Sequence, residues 1–192
     1  MTDATQSFAQ TRALIASDAR RLFAANGGGG LAQRIFWVLM PTYQALFWYR
    51  LSRYCFLRGW RNTARLLFLF KLYRTRVEIP PTTVIGEACL IAHASGVVLY
   101  GVIGARATIY GDAKIGGGID NTIDIGGGLG FPILGDDVVL GYRASVLGPF
   151  RVGDGARLGP CAMALFDVPA GAKLQTRKSV VMLPSPPNEA SA

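Results

Sequence analysis

Residues 133–159 read "ILGDDVVLGYRASVLGPFRVGDGARLG". An aliphatic side chain returns at every sixth position, at Leu134, Leu140, Val146, Val152 and Leu158. Four positions after these anchors stand small or β-branched residues, Val138, Ala144, Ala156 and Ala162, with Phe150 as the bulky exception. Glycine follows the anchor directly at Gly141, Gly153 and Gly159. A period of six fits neither an α-helix nor a simple hairpin. It is the beat of a parallel β-helix, in which each hexapeptide forms one short side of a three-sided coil. The anchor points into a narrow core, and the small residue and the glycine let the chain turn the corner.

The same beat runs upstream through Ile85, Ile91, Val97, Ile103, Ile109 and Ile115, and fades downstream at Ala164. The two runs predict about four coils. Between them "GGGIDNTIDIGGGLGFPI" (116–133) breaks the period. It reads as a loop projecting from the body, with glycine triplets suited to folding over a ligand. The expected fold is therefore mainly β, a β-helix over 77–183 with a protruding loop at 116–133.

Residues 1–76 have a different grammar. A first helix over roughly 8–25 ends at "NGGGG" (26–30), which reads as a helix stop and a joint. No strand precedes that run, so it is a poor phosphate loop. In residues 34–74 the fifteen uncharged positions between Arg34 and Arg50 reach about 22 Å as helix, short of a bilayer core of roughly 30 Å. Two readings stand side by side. One is a buried helical pair packed on the protein or on another subunit. The other is an interfacial surface, with Trp37, Phe47, Trp48 and Trp60 beside Arg50, Arg53, Arg58, Arg61 and Arg65 on an anionic membrane. The last residues, 184–192, read as a disordered tail.

The composition is 51% hydrophobic and 17% charged, which permits a sizeable core and excludes wholesale disorder. A formal charge of +8 favours anionic partners. No nucleic-acid reader module accompanies it, so nucleic acid is not among the expected partners. Cys55, Cys89 and Cys161 are scattered without metal-ligand spacing and read as reduced thiols of a cytoplasmic protein, with no metal site. The first residues have no basic stretch followed by an apolar run, so no signal peptide is expected.

His93, in "LIAHASG" (90–96), is the only histidine. Together with "YQALFWYRLSRYCFLRG" (43–59), "VEIPPTTVIG" (77–86) and "HASGVV" (93–98), the repeat resembles the serine acetyltransferase branch of the hexapeptide-repeat acyltransferases. The resemblance runs from about Tyr43 to Pro169. It implies a left-handed coil, a homotrimer, and acetyl-CoA as co-substrate in a groove between neighbouring solenoids. It also implies His93 as general base, with Glu78 in the place of the family's aspartate that orients the imidazole. The chemistry suits these residues: a neutral imidazole takes a hydroxyl proton near neutral pH while backbone N–H groups receive the oxyanion.

The resemblance places the cofactor turns at Gly141, Tyr142, Gly159 and Pro160, while the charge of Lys173, Arg177 and Lys178 suits either the nucleotide phosphates or, equally, a basic solvated tail. Tyr142 and Pro160 stand where the family usually has alanine. On the acceptor side, Ala92 replaces an aspartate and Gly130–Phe131 replaces an Arg-His pair. Those losses point away from a zwitterionic acceptor. With Ala92 giving room and Phe131 offering a ring, the chain looks closest to the exopolysaccharide O-acetyltransferases of that branch, and the resemblance implies a sugar or glycan hydroxyl in exopolysaccharide or lipid-linked glycan synthesis, near the inner face of the membrane. Serine O-acetylation and an inactive scaffold are the two alternatives.

Overall fold

The computed structural model describes residues 6–118 and 122–176. The first helix, α1 (Phe8–Ala25), starts with a capping box, Ser7 accepting from the Gln10 backbone and Gln10 from that of Ser7. After the glycine joint come α2 (Leu31–Leu39), α3 (Pro41–Leu57) and α4 (Arg61–Thr75). The expected helical pair is thus three helices, because Pro41 takes the first position of α3 and ends α2 before it.

Thirteen short strands follow: β1 (Val84–Ile85), β2 (Leu90–Ile91), β3 (Val98–Leu99), β4 (Val102–Ile103), β5 (Thr108–Ile109), β6 (Lys114–Gly116), β7 (Ile133–Leu134), β8 (Val139–Leu140), β9 (Ser145–Leu147), β10 (Arg151–Val152), β11 (Arg157–Leu158), β12 (Met163–Ala164) and β13 (Lys173–Leu174). They stack in parallel into three faces. The first is β1-β4-β7-β10, the second β13-β11-β8-β5-β2 and the third β12-β9-β6-β3. This is the β-helix expected from the repeat, with the left hand that the resemblance implies. Its core is the column of anchors, Ile85, Ile103 and Leu134 on one face and Ile91, Ile109, Leu140 and Leu158 on the next, each at most 4% exposed.

One anchor is displaced. Leu99, not Val97, pairs with Ile115 on the third face. The corner at 92–97 is two residues longer than those stacked on it at 110–113, 141–144 and 159–162, and the next corner, 100–101, is correspondingly short. Val97 is still buried, so its hydrophobicity concealed the shift.

The helices close the open end of the solenoid, where a first coil has no preceding coil to satisfy its backbone. Arg50, 1% exposed, donates to the carbonyls of Ile85 and Gly86 and pairs with the buried Asp18 at 3.0 Å. Asp18 in turn accepts from the Cys89 N–H at 2.9 Å. Arg53 donates to the Pro81 and Thr83 carbonyls, and Lys71 Nζ to that of Ile79. Arg50 and Arg53 therefore face the fold, as the packed-pair reading has it, and drop out of the set that the interfacial reading turned to a membrane. No helix among the described residues is long and apolar enough to cross a membrane.

Candidate active site

The strand register sets the site. Counting two residues past the anchors of the second face brings His93, Gly111, Tyr142 and Pro160 into one column at the corner leading to the third face. His93 is exposed there, on the enlarged corner. Its Cβ lies so near Gly111 that a side chain at 111 would come within 3.2 Å of it. The Tyr110 ring stands 6.2 Å from the imidazole, centroid to centroid.

From Tyr110 a groove runs along the second face between Gly141, Tyr142, Gly159 and Pro160 to Lys173. Five predicted cofactor residues thus share one cleft that begins beside the predicted base. Tyr142 and Pro160 line this groove and do not fill it. Arg157 lines it as well and was not foreseen. The signal was present: Arg157 precedes the anchor Leu158 as Lys173 precedes Leu174, and the two are paired across β11 and β13. Arg177 and Lys178 lie outside the described residues, as does the tail 184–192.

Two more charged side chains gather at the histidine corner. Asp112 follows Gly111, its N–H donates to the Ser95 carbonyl at 2.6 Å, and its Oδ1 lies against Gly96, where any Cβ would collide with it. The Tyr142 hydroxyl donates to Asp112 Oδ2 at 2.9 Å, which holds that phenol above its ordinary value. Arg143 reaches the same oxygen at 3.8 Å and remains 65% exposed. Neither Asp112 nor Arg143 was foreseen. They are far apart in sequence, and only stacking of the coils makes them neighbours.

Glu78 lies along the outer edge of the third face, paired with Val98. Its Oε1 accepts from the Tyr100 hydroxyl at 2.5 Å, and burial together with this bond pushes the Tyr100 phenol up to about 12. Among the described residues the imidazole of His93 and the carboxylate of Glu78 are not hydrogen-bonded to each other. Tyr100 also stacks on Phe131, centroids 5.1 Å apart and planes 27° apart. Phe131 therefore sits at the far corner of the third face from His93 with a ring face already occupied. The half-buried Ala92 follows β2 directly, its N–H held by the Ile109 carbonyl. Among the described residues no group of three or more His, Cys, Asp or Glu is arranged to hold a metal.

No family model matches the chain. Among curated proteins it is 37% identical over 136 residues to a serine acetyltransferase of Helicobacter pylori, covering 70% of this chain and 77% of that protein. It is 36% identical over 134 residues to the Mycobacterium tuberculosis serine acetyltransferase, of which it spans only 56%. Among solved structures, soybean serine acetyltransferase complexed with serine superposes with a TM-score of 0.76 at 25% identity, over 87% of this chain and 67% of that one. The Entamoeba histolytica serine acetyltransferase isoform 3, in complex with cysteine, gives 0.80 at 21% identity over 93% and 63%, a likeness of fold. These findings overturn the expected sugar or glycan acceptor and the kinship with exopolysaccharide O-acetyltransferases. The structure supplies the physical reason: the ring meant as a sugar platform is packed on Tyr100.

Proposed function

This chain belongs to the serine acetyltransferase family, and from that premise we propose that it transfers an acetyl group from acetyl-CoA to the hydroxyl of L-serine. The observation that carries the reading is the continuity between His93 and the groove of Gly141, Tyr142, Gly159 and Pro160. His93 takes the serine hydroxyl proton as the oxygen attacks the thioester carbonyl. The new C–O bond forms, the C–S bond breaks, and the proton held by the imidazole passes to the departing thiolate of coenzyme A. Arg157 and Lys173, at the far end of the groove, suit the phosphates of the cofactor.

Serine is a zwitterion and needs a partner of each sign. Asp112 and Arg143, side by side at the histidine corner, offer that pair: Asp112 for the ammonium and Arg143 for the carboxylate. They replace the charges missing at Ala92 and at Gly130–Phe131. We place the reaction in a cytoplasmic homotrimer. The protruding loop and Phe131 leave one corner of a solenoid while His93 occupies another, so a neighbouring copy brings the two together. The exposed Met163, Leu165 and Phe166 give that neighbour an apolar surface to cover. The test is thiol release from acetyl-CoA by the full chain. Release that rises and saturates with L-serine is expected, and none above the hydrolysis background in a protein that still binds acetyl-CoA sinks the reading.

A further inference from the structure

Every charged residue between Asp18 and Glu78 is an arginine or a lysine. Arg50, Arg53 and Lys71 turn inward, but Arg34, Arg58, Arg61, Arg65 and Arg74 stay exposed. On α4, Leu66, Leu69, Phe70 and Tyr73 fall at the i, i+3, i+4, i+7 spacing of one helix face. That face looks outward: Leu66 is 67% and Tyr73 75% exposed, whereas Ala64, Lys71 and Thr75 on the opposite side are buried. A helix of a globular domain ordinarily turns such a stripe to the core. At 3.6 residues per turn, Arg65 and Arg74 flank the stripe on its two edges.

A second exposed stripe, Leu31, Ile35 and Leu39, runs along α2, which has no buried residue. The two helices adjoin through α3. Trp48 meets Phe70 edge-on with centroids 5.0 Å apart and donates to Gln44, whose amide donates to the Val38 carbonyl of α2.

We propose that this α2–α4 face docks on an anionic lipid bilayer. The apolar stripe of α4 lies at the acyl boundary, and Arg65 and Arg74 lie among the headgroups. Charge complementarity selects lipid over a two-fold symmetric contact with a second copy. A symmetric contact through this face sets arginine against arginine, with no carboxylate in the segment to pair them. The docking goes beyond acetyl transfer and does not depend on it.

Flotation of the full chain tests it, with vesicles of phosphatidylcholine alone and of phosphatidylcholine with about one-third phosphatidylglycerol. The chain is expected to float with the anionic vesicles only, and less in about 0.5 M salt. Arg65→Gln with Arg74→Gln should weaken binding on the order of thirtyfold. Leu66→Ser with Leu69→Ser should abolish it at unchanged melting temperature and unchanged mass in solution. The proposal fails if neither vesicle carries the chain, or if neutral vesicles carry it equally well. It also fails if the leucine variant lowers the mass in solution, because the stripe is then a contact between copies.

Discussion

His93 projects from the one enlarged corner in its column, over a glycine that leaves room for it, and Asp112, the carboxylate at that corner, comes from the coil above. In the proposed reaction Asp112 is the residue on which the choice of acceptor turns. Asp112→Asn keeps the shape and the Tyr142 contact but removes the charge. It is expected to raise the KM for L-serine by about ten- to a hundredfold while leaving the KM for acetyl-CoA unchanged, as steady-state kinetics with each substrate varied will show. Lys71 carries a prediction of a different kind. Burial holds its ammonium down to about 7 from an ordinary 10.5, against the opposing pull of Glu78. Between those values the unfolded chain retains a proton that the folded protein has released, so stability rises with pH across that window and is lost as pH falls through about 7. Lys71→Met should flatten that part of the curve in melting temperatures recorded from about pH 6 to 10. The lone histidine stood out in the sequence because its neighbours carried a resemblance. The Asp112–Arg143 pair did not, because a charge on an outward turn looks like any solvated residue until the coils are stacked.

The period of six made the solenoid legible as an element, since inward anchors and small corner residues follow directly from the geometry of a narrow three-sided coil. The length of an individual corner was not legible. Val97 and Leu99 are both apolar and both buried, so hydrophobicity could not say which one opens the third face. Arg50 and Arg53 left two readings open for a related reason: a sequence shows a basic helix but not the carbonyls of the first coil that the arginines satisfy. Glycine, by contrast, marks where coils touch. At Gly104 a Cβ would be driven into the backbone carbonyl of Gly135 one coil above. Gly104→Ala is expected to cost about 2 kcal/mol and to lower the melting temperature by about 4–8 °C. An unchanged melting curve would mean that the coils are not packed at this separation.

At the scale of the whole molecule, one chain holds the proposed base, the candidate cofactor groove and a charged pair at one corner, and the loop with Phe131 at another. The helical segment closes the solenoid with its inward face and offers an apolar, basic face outward. The central claim is that His93 is the base of a serine acetyltransferase, and one comparison tests it most directly. L-serine-dependent thiol release and acetyl-CoA affinity are measured on the same preparations of the unaltered chain and of His93→Ala. The account predicts a loss of roughly 10²–10⁴-fold in turnover with acetyl-CoA binding retained. Turnover that survives the substitution within a few-fold would contradict it.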